Sequence, residues 1–296
     1  MSQPEPIMPP HAPDLHHRVG GLSCIERPGH GAAVLFLHGI GSNAQSFLPV
    51  FAHLPSDLRL IAWNAPGYLD SDPLADDWPV AADYARAALR LLDGLGARRV
   101  HVVGHSLGTL VAAALAEAAP RRLLSLTLAA AAQGYGVAPG GDLPAGVAAR
   151  LEDLDRQGPR AFARARAARL VHAPEANPDV VAQVETEMAR VHPRGYGQAV
   201  QMLASGDLAG TVARLTMRPS FIIGEGDVVT PRDQTDAAAG AWTRATGESP
   251  PVEVIAGAGH AVPLQAPGAF AEALLKLVPA LHGGASTPEE GEADGR

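Results

Sequence analysis

Ser106 lies at the centre of a Gly-His-Ser-Leu-Gly stretch, residues 104–108, between two apolar segments. Residues 100–103 are typical of a buried strand, and residues 107–119 are almost wholly apolar and small, as a buried helix would be. A sharp strand-to-helix turn needs glycines on both sides, because no Cβ fits where strand and helix nearly touch. Such a turn would present the Ser106 hydroxyl at a helix N-terminus, ready for nucleophilic attack on a carbonyl. The simpler alternative is an ordinary serine that caps a helix.

A serine hydroxyl needs a base to take its proton, and the base needs an acid to hold it. Two later strand ends offer these groups in the order acid, then histidine. Asp227 lies in a Gly-Glu-Gly-Asp turn after the apolar stretch 219–223, and His260 follows a later stretch. We therefore predict Asp227 as the acid and His260 as the base for Ser106. Glu225 is the nearest rival acid, while Asp227 could be a plain turn residue and His260 a loop histidine without a role.

A carbonyl attacked by serine becomes an oxyanion, which two N–H donors can stabilise. We predict one donor to be the backbone N–H of Leu107, directly after the nucleophile. The other is expected in a loop after an early strand, where residues 38–41 read His-Gly-Ile-Gly. The backbone N–H of Ile40 is the candidate, because the flanking glycines would let this loop approach a substrate closely. A plain glycine-rich turn is the alternative.

The sequence contains no pattern that predicts a metal or a cofactor. Most other histidines are scattered without the paired spacing of metal ligands, and there is no His-Glu-x-x-His motif. The glycines match neither a phosphate-binding loop nor a dinucleotide fingerprint. His105 is expected mainly to pack. The single cysteine, Cys24, excludes an internal disulfide.

Short apolar stretches alternate with longer Ala- and Leu-rich segments along most of the chain. Near-continuous apolar strands are typical of a parallel sheet covered by helices on both faces. Residues 80–95 have the spacing of an amphipathic helix, residues 107–119 have the composition of a buried one, and residues 269–278 are expected to form the last helix. The alternation predicts a wound α/β fold. The predicted strands are residues 32–37, 59–63, 100–103, 124–128, 219–223 and 252–255.

Residues 133–210 break this alternation, because they contain loop residues and helical pieces but no convincing strand. We predict that they form a helical cap over the carboxyl edge of the sheet, where open α/β sheets bind ligands. Residues 18–132 and 211–282 would then form the α/β core. A separate helical domain is the alternative. Residues 1–17 and 283–296 are predicted to be flexible tails.

The charge balance limits the kinds of partner. The 296 residues include 31 acids against 23 Lys and Arg, a formal net charge of −8. This balance argues against nucleic acid as a partner and against a basic membrane-binding surface. The start of the chain lacks the pattern of a secretory signal, and no apolar run approaches the ~20 residues that cross a bilayer. We expect a cytoplasmic protein with a small-molecule substrate; the oligomeric state stays open.

Taken together, these motifs resemble those of the α/β-hydrolase superfamily, in particular its cap-bearing serine hydrolases. The resemblance implies a mostly parallel eight-stranded sheet whose first strands precede Gly31, with the cap inserted after the sixth strand. It also implies a catalytic triad of Ser106, Asp227 and His260. The resemblance spans roughly residues 32–278 and depends on residues 38–41, 64–67, 104–108, 224–227 and 259–260.

Departures from the family pattern narrow the expected chemistry. Ser106 excludes the members that use an aspartate nucleophile. Carbon–carbon bond hydrolases commonly carry Trp after the histidine, where this chain has Ala261, and a Gly-Pro-Gly loop, which it lacks. Cofactor-free haloperoxidase-like members usually have an aromatic residue at the position of Ile40. Simple esters, lactones and thioesters remain as the expected substrates.

We therefore expect a serine hydrolase that cleaves a small carboxylic ester or lactone through an acyl-enzyme on Ser106. The alternatives are a carbon–carbon bond hydrolase of a ring-fission dienone, an acyltransferase, and a non-catalytic hydrolase-fold protein that binds a ligand. The cavity above Ser106 would discriminate between substrates. A long apolar tunnel would favour fatty esters, and a small pocket with an arginine would favour an anionic lactone or acid.

Overall fold

An eight-stranded sheet forms the centre of the computed structural model, which describes residues 14–282. Its spatial order is β1-β2-β4-β3-β5-β6-β7-β8, with β2 antiparallel to both β1 and β4 and all other pairs parallel. The predicted mostly parallel sheet is confirmed, and all six predicted strands are present. The strands are β1 Leu15–Val19, β2 Leu22–Arg27, β3 Ala33–Leu37, β4 Arg59–Trp63, β5 Val100–His105, β6 Leu123–Ala129, β7 Pro219–Gly224 and β8 Val252–Ile255.

Helices cover the sheet on both faces. Within residues 14–282 the α-helices are α1 Leu48–Phe51, α2 Ala81–Gly94, α3 Leu107–Ala118, α4 Ala145–Arg166, α5 Pro178–Met188, α6 Pro193–Ser205, α7 Leu208–Val212, α8 Arg232–Thr246, α9 Val262–Gln265 and α10 Pro267–Leu277. Helix α8 was not predicted from the sequence. Its first turns are polar and Trp242 is its one large apolar side chain, so it shows no apolar stripe.

The alternation of side chains along β3 divides the core into two layers. Val34 and Phe36 belong to the cluster that includes α1 and α10, whereas Leu35 and Leu37 belong to the one that includes α2 and α3. All four side chains are fully buried. A strand with apolar residues on both faces can only be satisfied between two helical layers, which explains its continuous apolar sequence.

The N-terminal boundary differs from the prediction. Residues 15–17 were predicted to belong to a flexible tail, 1–17, but they lie in β1, which pairs with β2 from Leu15 opposite Glu26. That part of the prediction is wrong, because the half-exposed strand has no apolar run to mark it and a tight glycine turn folds it back on β2. Residues 1–13 and the predicted tail 283–296 lie outside the described residues.

The connection from β6 to β7 contains no strand: an irregular segment, residues 130–144, leads into the helices α4 to α7. Helix α4 is bent at Gly158, whose φ of 72° interrupts the helical backbone. Helix α7 runs across the predicted boundary at residue 210. The division into a core and a cap at residues 132 and 210 stays a prediction. Among the described residues, no helix combines the length and the apolar character that crossing a bilayer requires.

Candidate active site

Ser106 lies at the junction of β5 and α3 with a strained backbone, φ 53° and ψ −117°. A left-handed φ at a residue other than glycine costs about 1–3 kcal/mol, so the surrounding structure must impose it. The glycines on either side allow the close contact that does so. A Cβ on Gly104 would clash with the backbone of Gly108, and a Cβ on Gly108 would clash with the backbone of Leu37.

The structure brings Ser106, His260 and Asp227 into one hydrogen-bonded chain. The Ser106 hydroxyl donates to His260 Nε2 at 3.0 Å, and His260 Nδ1–H donates to Asp227 Oδ2 at 2.9 Å. All three residues are buried. The rival acid Glu225 is exposed and accepts a hydrogen bond from the backbone of Gly257 instead. This order of contacts suits a nucleophile, a base and an acid that orients the base.

Asp227 is held as a carboxylate by the groups around it. Burial alone would raise its pKa, but the charge of His260 and hydrogen bonds from His260 and Thr230 lower the pKa below its ordinary value. Asp227 Oδ1 accepts the backbone N–H groups of Val229 and Thr230 at 2.8 and 2.9 Å. The Thr230 hydroxyl donates to Asp227 Oδ2 at 2.8 Å. Thr230 was not predicted from the sequence, although its place three residues after Asp227 is a local signal.

The loop 38–41 passes directly against the serine. A Cβ on Gly39 would come within 2.9 Å of the Ser106 Cβ, so only glycine fits without displacement. Ile40 and Leu107, whose backbone N–H groups are the predicted oxyanion donors, both line the cavity that contains Ser106 and His260. Their role as oxyanion donors stays a prediction.

His38, the first residue of this loop, fixes the loop through two hydrogen bonds, a role that was not predicted from the sequence. Its Nε2 accepts the backbone N–H of Ala65 at 3.0 Å, and its Nδ1–H donates to the carbonyl of Gly39 at 2.8 Å. Complete burial lowers the pKa of His38 to about 4. The ring is therefore neutral at physiological pH, which leaves Nε2 free to accept.

His105 was expected mainly to pack, and the structure shows that it also forms a hydrogen bond to the backbone of His260. Its Nε2–H donates to the backbone carbonyl of His260 at 2.8 Å, and the two rings lie 5.2 Å apart. Burial and the neighbouring charge of His260 lower the pKa of His105 to about 3. A neutral His105 places no positive charge beside His260.

A cavity of about 210 Å³ lies above Ser106, between the sheet edge and the helices that follow β6. Ser106 and His260 form part of its floor. Its apolar walls include Leu107, Phe162, Met188 and Leu203, and its polar walls include Gln133, Arg150, Arg166, Arg169, Tyr196 and Gln234. This volume lies below the roughly 300–1,000 Å³ of pockets that hold drug-sized ligands, so it suits a short substrate better than a long acyl chain.

Comparison with known proteins places the chain in a family. The model of the "Alpha/beta hydrolase family" matches residues 34–273. A protein of Variovorax paradoxus (strain S110), provisionally named carbamate hydrolase RutD, is 36% identical over 153 residues, 51% of this chain and 54% of that protein. The chain thus spans about half the length of this curated relative.

Solved structures share the fold over nearly the whole chain. A thermophilic esterase from Thermogutta terrifontis, with malate bound, superposes with a TM-score of 0.76 at 22% identity, over 92% of this chain and 100% of that one. The enol-lactonase from Burkholderia xenovorans LB400 gives 0.75 at 19% identity, over 90% and 100%. At these identities the likeness concerns the fold alone. The family model, by contrast, covers most of the sequence, and the chain belongs to the α/β-hydrolase family.

Proposed function

We propose that the protein is a serine hydrolase that cleaves a small carboxylic ester or lactone through an acyl-enzyme on Ser106. The observation that carries this proposal is the hydrogen-bonded chain from Ser106 through His260 to Asp227 at the floor of the cavity. The nucleophile and its base are both within reach of a substrate there. The low pKa of Asp227 keeps this acid ionised, as the role requires.

In the first half of the reaction, Ser106 Oγ attacks the carbonyl carbon while His260 Nε2 takes the hydroxyl proton. Asp227 holds the Nδ1–H tautomer and balances the imidazolium charge without taking the proton itself. The backbone N–H groups of Ile40 and Leu107 stabilise the oxyanion, by about 3 kcal/mol per donor. His260 then gives its proton to the leaving oxygen as the carbon–oxygen bond breaks.

In the second half, a water molecule replaces the alcohol. His260 takes a proton from this water, whose oxygen attacks the acyl carbon, and the proton returns to Ser106 Oγ as the acid leaves. For a lactone the alcohol stays attached to the acyl group, so the product is a single hydroxy acid. The small cavity favours short substrates over fatty esters.

The decisive experiment compares p-nitrophenyl acetate hydrolysis by the wild-type protein and by Ser106→Ala. Loss of the nucleophile is expected to lower kcat by at least about 10³-fold. The matched control is Ser249→Ala, which removes an exposed hydroxyl and is expected to retain the wild-type rate. A fluorophosphonate probe should label the wild-type protein and not Ser106→Ala. An unchanged rate in Ser106→Ala, or a wild-type protein inert to both reagents, would reject the proposal.

A further inference from the structure

Three arginines line the cavity above Ser106. Arg150 and Arg166 lie on α4, and Arg169 lies in the short 3₁₀ turn that follows it. Among the described residues that line this cavity there is no aspartate or glutamate. The whole chain carries a net charge of −8, so the positive wall does not reflect the protein's general charge. A substrate in this cavity therefore meets a local excess of positive charge.

The arginines are only partly neutralised by their neighbours. Arg166 lies 2.9 Å from Asp153, but the same carboxylate also binds Arg156 at 2.5 Å, so one negative charge serves two guanidinium groups. Arg150 has no carboxylate within 4.0 Å in the part of the chain that the structure describes. Arg169 makes one long hydrogen bond, 3.5 Å, to a backbone carbonyl. N–H groups of these arginines are thus available to donate hydrogen bonds to a ligand.

Arg150, Arg166 and the buried Tyr196 line the same cavity. Burial raises the pKa of the Tyr196 hydroxyl, and the positive charges of Arg150 and Arg166 oppose that rise. The Arg166 guanidinium stacks 4.5 Å from the ring centre of Phe162, which meets the Tyr196 ring edge-on at 5.3 Å. Phe162 and Tyr196 are 1% and 3% exposed, so their rings are fixed by packing, and the Arg166 guanidinium stacks on a fixed surface.

The acid in the neighbouring cavity, Glu187, does not cancel this charge. Glu187 lines a separate cavity of about 30 Å³ beside the first one. Its carboxylate already accepts a hydrogen bond from Asn43 and lies 3.4 Å from Arg190. Glu187 is therefore occupied, and the cavity above Ser106 retains its excess of donors.

We propose that the substrate carries a carboxylate, separate from the bond that is cleaved, which Arg150 and Arg166 bind beside Tyr196. The proposal rests on the function proposed above, an ester or lactone cleaved at Ser106. A guanidinium group binds a carboxylate through two parallel N–H donors. The side chains of Arg150 and Arg166 both remain charged at any physiological pH. Because one small cavity contains both the arginines and Ser106, the carboxylate and the scissile carbonyl belong to one short molecule. Half-esters of dicarboxylic acids and carboxylate-bearing lactones have this form.

The test uses pairs of esters that differ only in charge. Monomethyl succinate and methyl succinamate carry the carboxylate or its neutral amide on the acyl side. The pair 4-acetoxybutanoate and 4-acetoxybutanamide carries it on the alcohol side. For each pair we take the ratio of kcat/KM for the anionic ester to that for the neutral one. The wild-type ratio is expected to exceed about 10 in at least one pair, the scale of a charge-assisted hydrogen bond. The pair that shows it locates the carboxylate on the acyl or the alcohol side.

Variants of the arginines connect the preference to this site. Arg150→Met and Arg166→Met are each expected to lower the anionic-to-neutral ratio at least about fivefold, mainly through KM. Arg150→Lys keeps the charge and is expected to keep part of the preference, which separates charge from packing. The matched control is Arg164→Met on the same helix, because Arg164 is exposed, pairs with Glu185 and does not line the cavity. Its ratio is expected to stay within twofold of the wild-type ratio.

A binding measurement keeps this inference separate from the proposed function. Calorimetric titration of Ser106→Ala with succinate, against succinamide as the neutral control, needs no turnover. Succinate is expected to bind at least about tenfold more tightly, and Arg150→Met in this background should remove most of the difference. Wild-type protein that cleaves the neutral esters equally well, with ratios unchanged in both Met variants, would overturn the inference and leave the hydrolase intact. Preferential succinate binding without any ester turnover would support the anion site and reject the hydrolase.

Discussion

Glu187 and Asn43 are 144 residues apart in the chain, and the Asn43 side-chain amide donates to the Glu187 carboxylate at 2.5 Å. Glu187 lies near the end of α5, whereas Asn43 lies three residues after the predicted oxyanion donor Ile40. The Asn43 Oδ1 also accepts the backbone N–H of Gln45, which fixes the side chain at both ends. This contact ties a helix of the predicted cap to the loop beside Ser106.

Removing this tie should affect turnover more than binding. Glu187→Ala leaves the buried Asn43 amide without its acceptor, at a cost of about 1–3 kcal/mol, which the loop can avoid by moving. We expect kcat for p-nitrophenyl acetate to fall about tenfold with a smaller change in KM, because a displaced Ile40 N–H stabilises the oxyanion less well. Steady-state kinetics measures both parameters.

Two further variants discriminate positioning from a general loss of structure. Glu187→Gln keeps an oxygen acceptor for Asn43 and is expected to recover most of kcat. Glu185→Ala removes a partly exposed carboxylate from the same helix, whose ion pair within residues 14–282 is with the surface residue Arg164, and should leave kcat unchanged. Equal losses in Glu187→Ala and Glu187→Gln, or a normal kcat in both, would contradict the assignment.

His38 predicts a specific acid sensitivity. Burial lowers its pKa from 6.5 to about 4 in the folded protein. Between these two pH values the unfolded chain binds a proton that the folded protein does not, so the free energy of unfolding falls as the pH falls. Within this window the free energy of unfolding falls by roughly 1.4 kcal/mol for each pH unit, and above pH 6.5 His38 causes no such loss.

Urea unfolding at pH 7 and at pH 4.5 measures this contribution. His38→Asn keeps an acceptor for the Ala65 backbone N–H without a titrating ring, so the stability of this variant should depend less steeply on pH than that of the wild-type protein. His53→Gln, at an exposed position, is the control and should keep the wild-type pH dependence. Parallel pH profiles for the wild-type protein and His38→Asn would show that His38 does not remain neutral when folded.

The sequence alone located the candidate site because its signals are local. Ser106, Asp227 and His260 each follow a recognisable apolar strand, and parallel strands bring their carboxyl ends to one edge of the sheet. Their catalytic roles stay a prediction. The parallel part of the sheet was recognisable for the same reason, whereas β1 was not, since its half-exposed residues show neither an apolar run nor a clear alternation.

The supporting residues could not be predicted, because their roles depend on pairs that are distant in the chain. Glu187 looks like any acid on a helix until α5 packs beside Asn43. Arginines such as Arg150 and Arg166 look like part of a solvated helix face, and only the packing of α4 over the sheet edge turns them toward Ser106. The local pattern reveals the candidate nucleophile, and the three-dimensional packing reveals which substrates could meet it.

The last prediction concerns Gly108, the second residue of α3. A Cβ at this position would clash with the carbonyl of Leu37, and a backbone neighbour cannot move aside as a flexible side chain could. Gly108→Ala should therefore lower the free energy of unfolding by about 1–3 kcal/mol, although alanine is the better helix former. The displaced helix should also shift the Leu107 N–H and reduce esterase activity. Gly146→Ala on α4 is the control, because its Cβ would meet no atom within 4 Å, and it should raise stability by about 0.5–1 kcal/mol. Urea unfolding measures the change in the free energy of unfolding of both variants. A stabilised, fully active Gly108→Ala protein would mean that strand and helix do not need this close contact to hold Ser106.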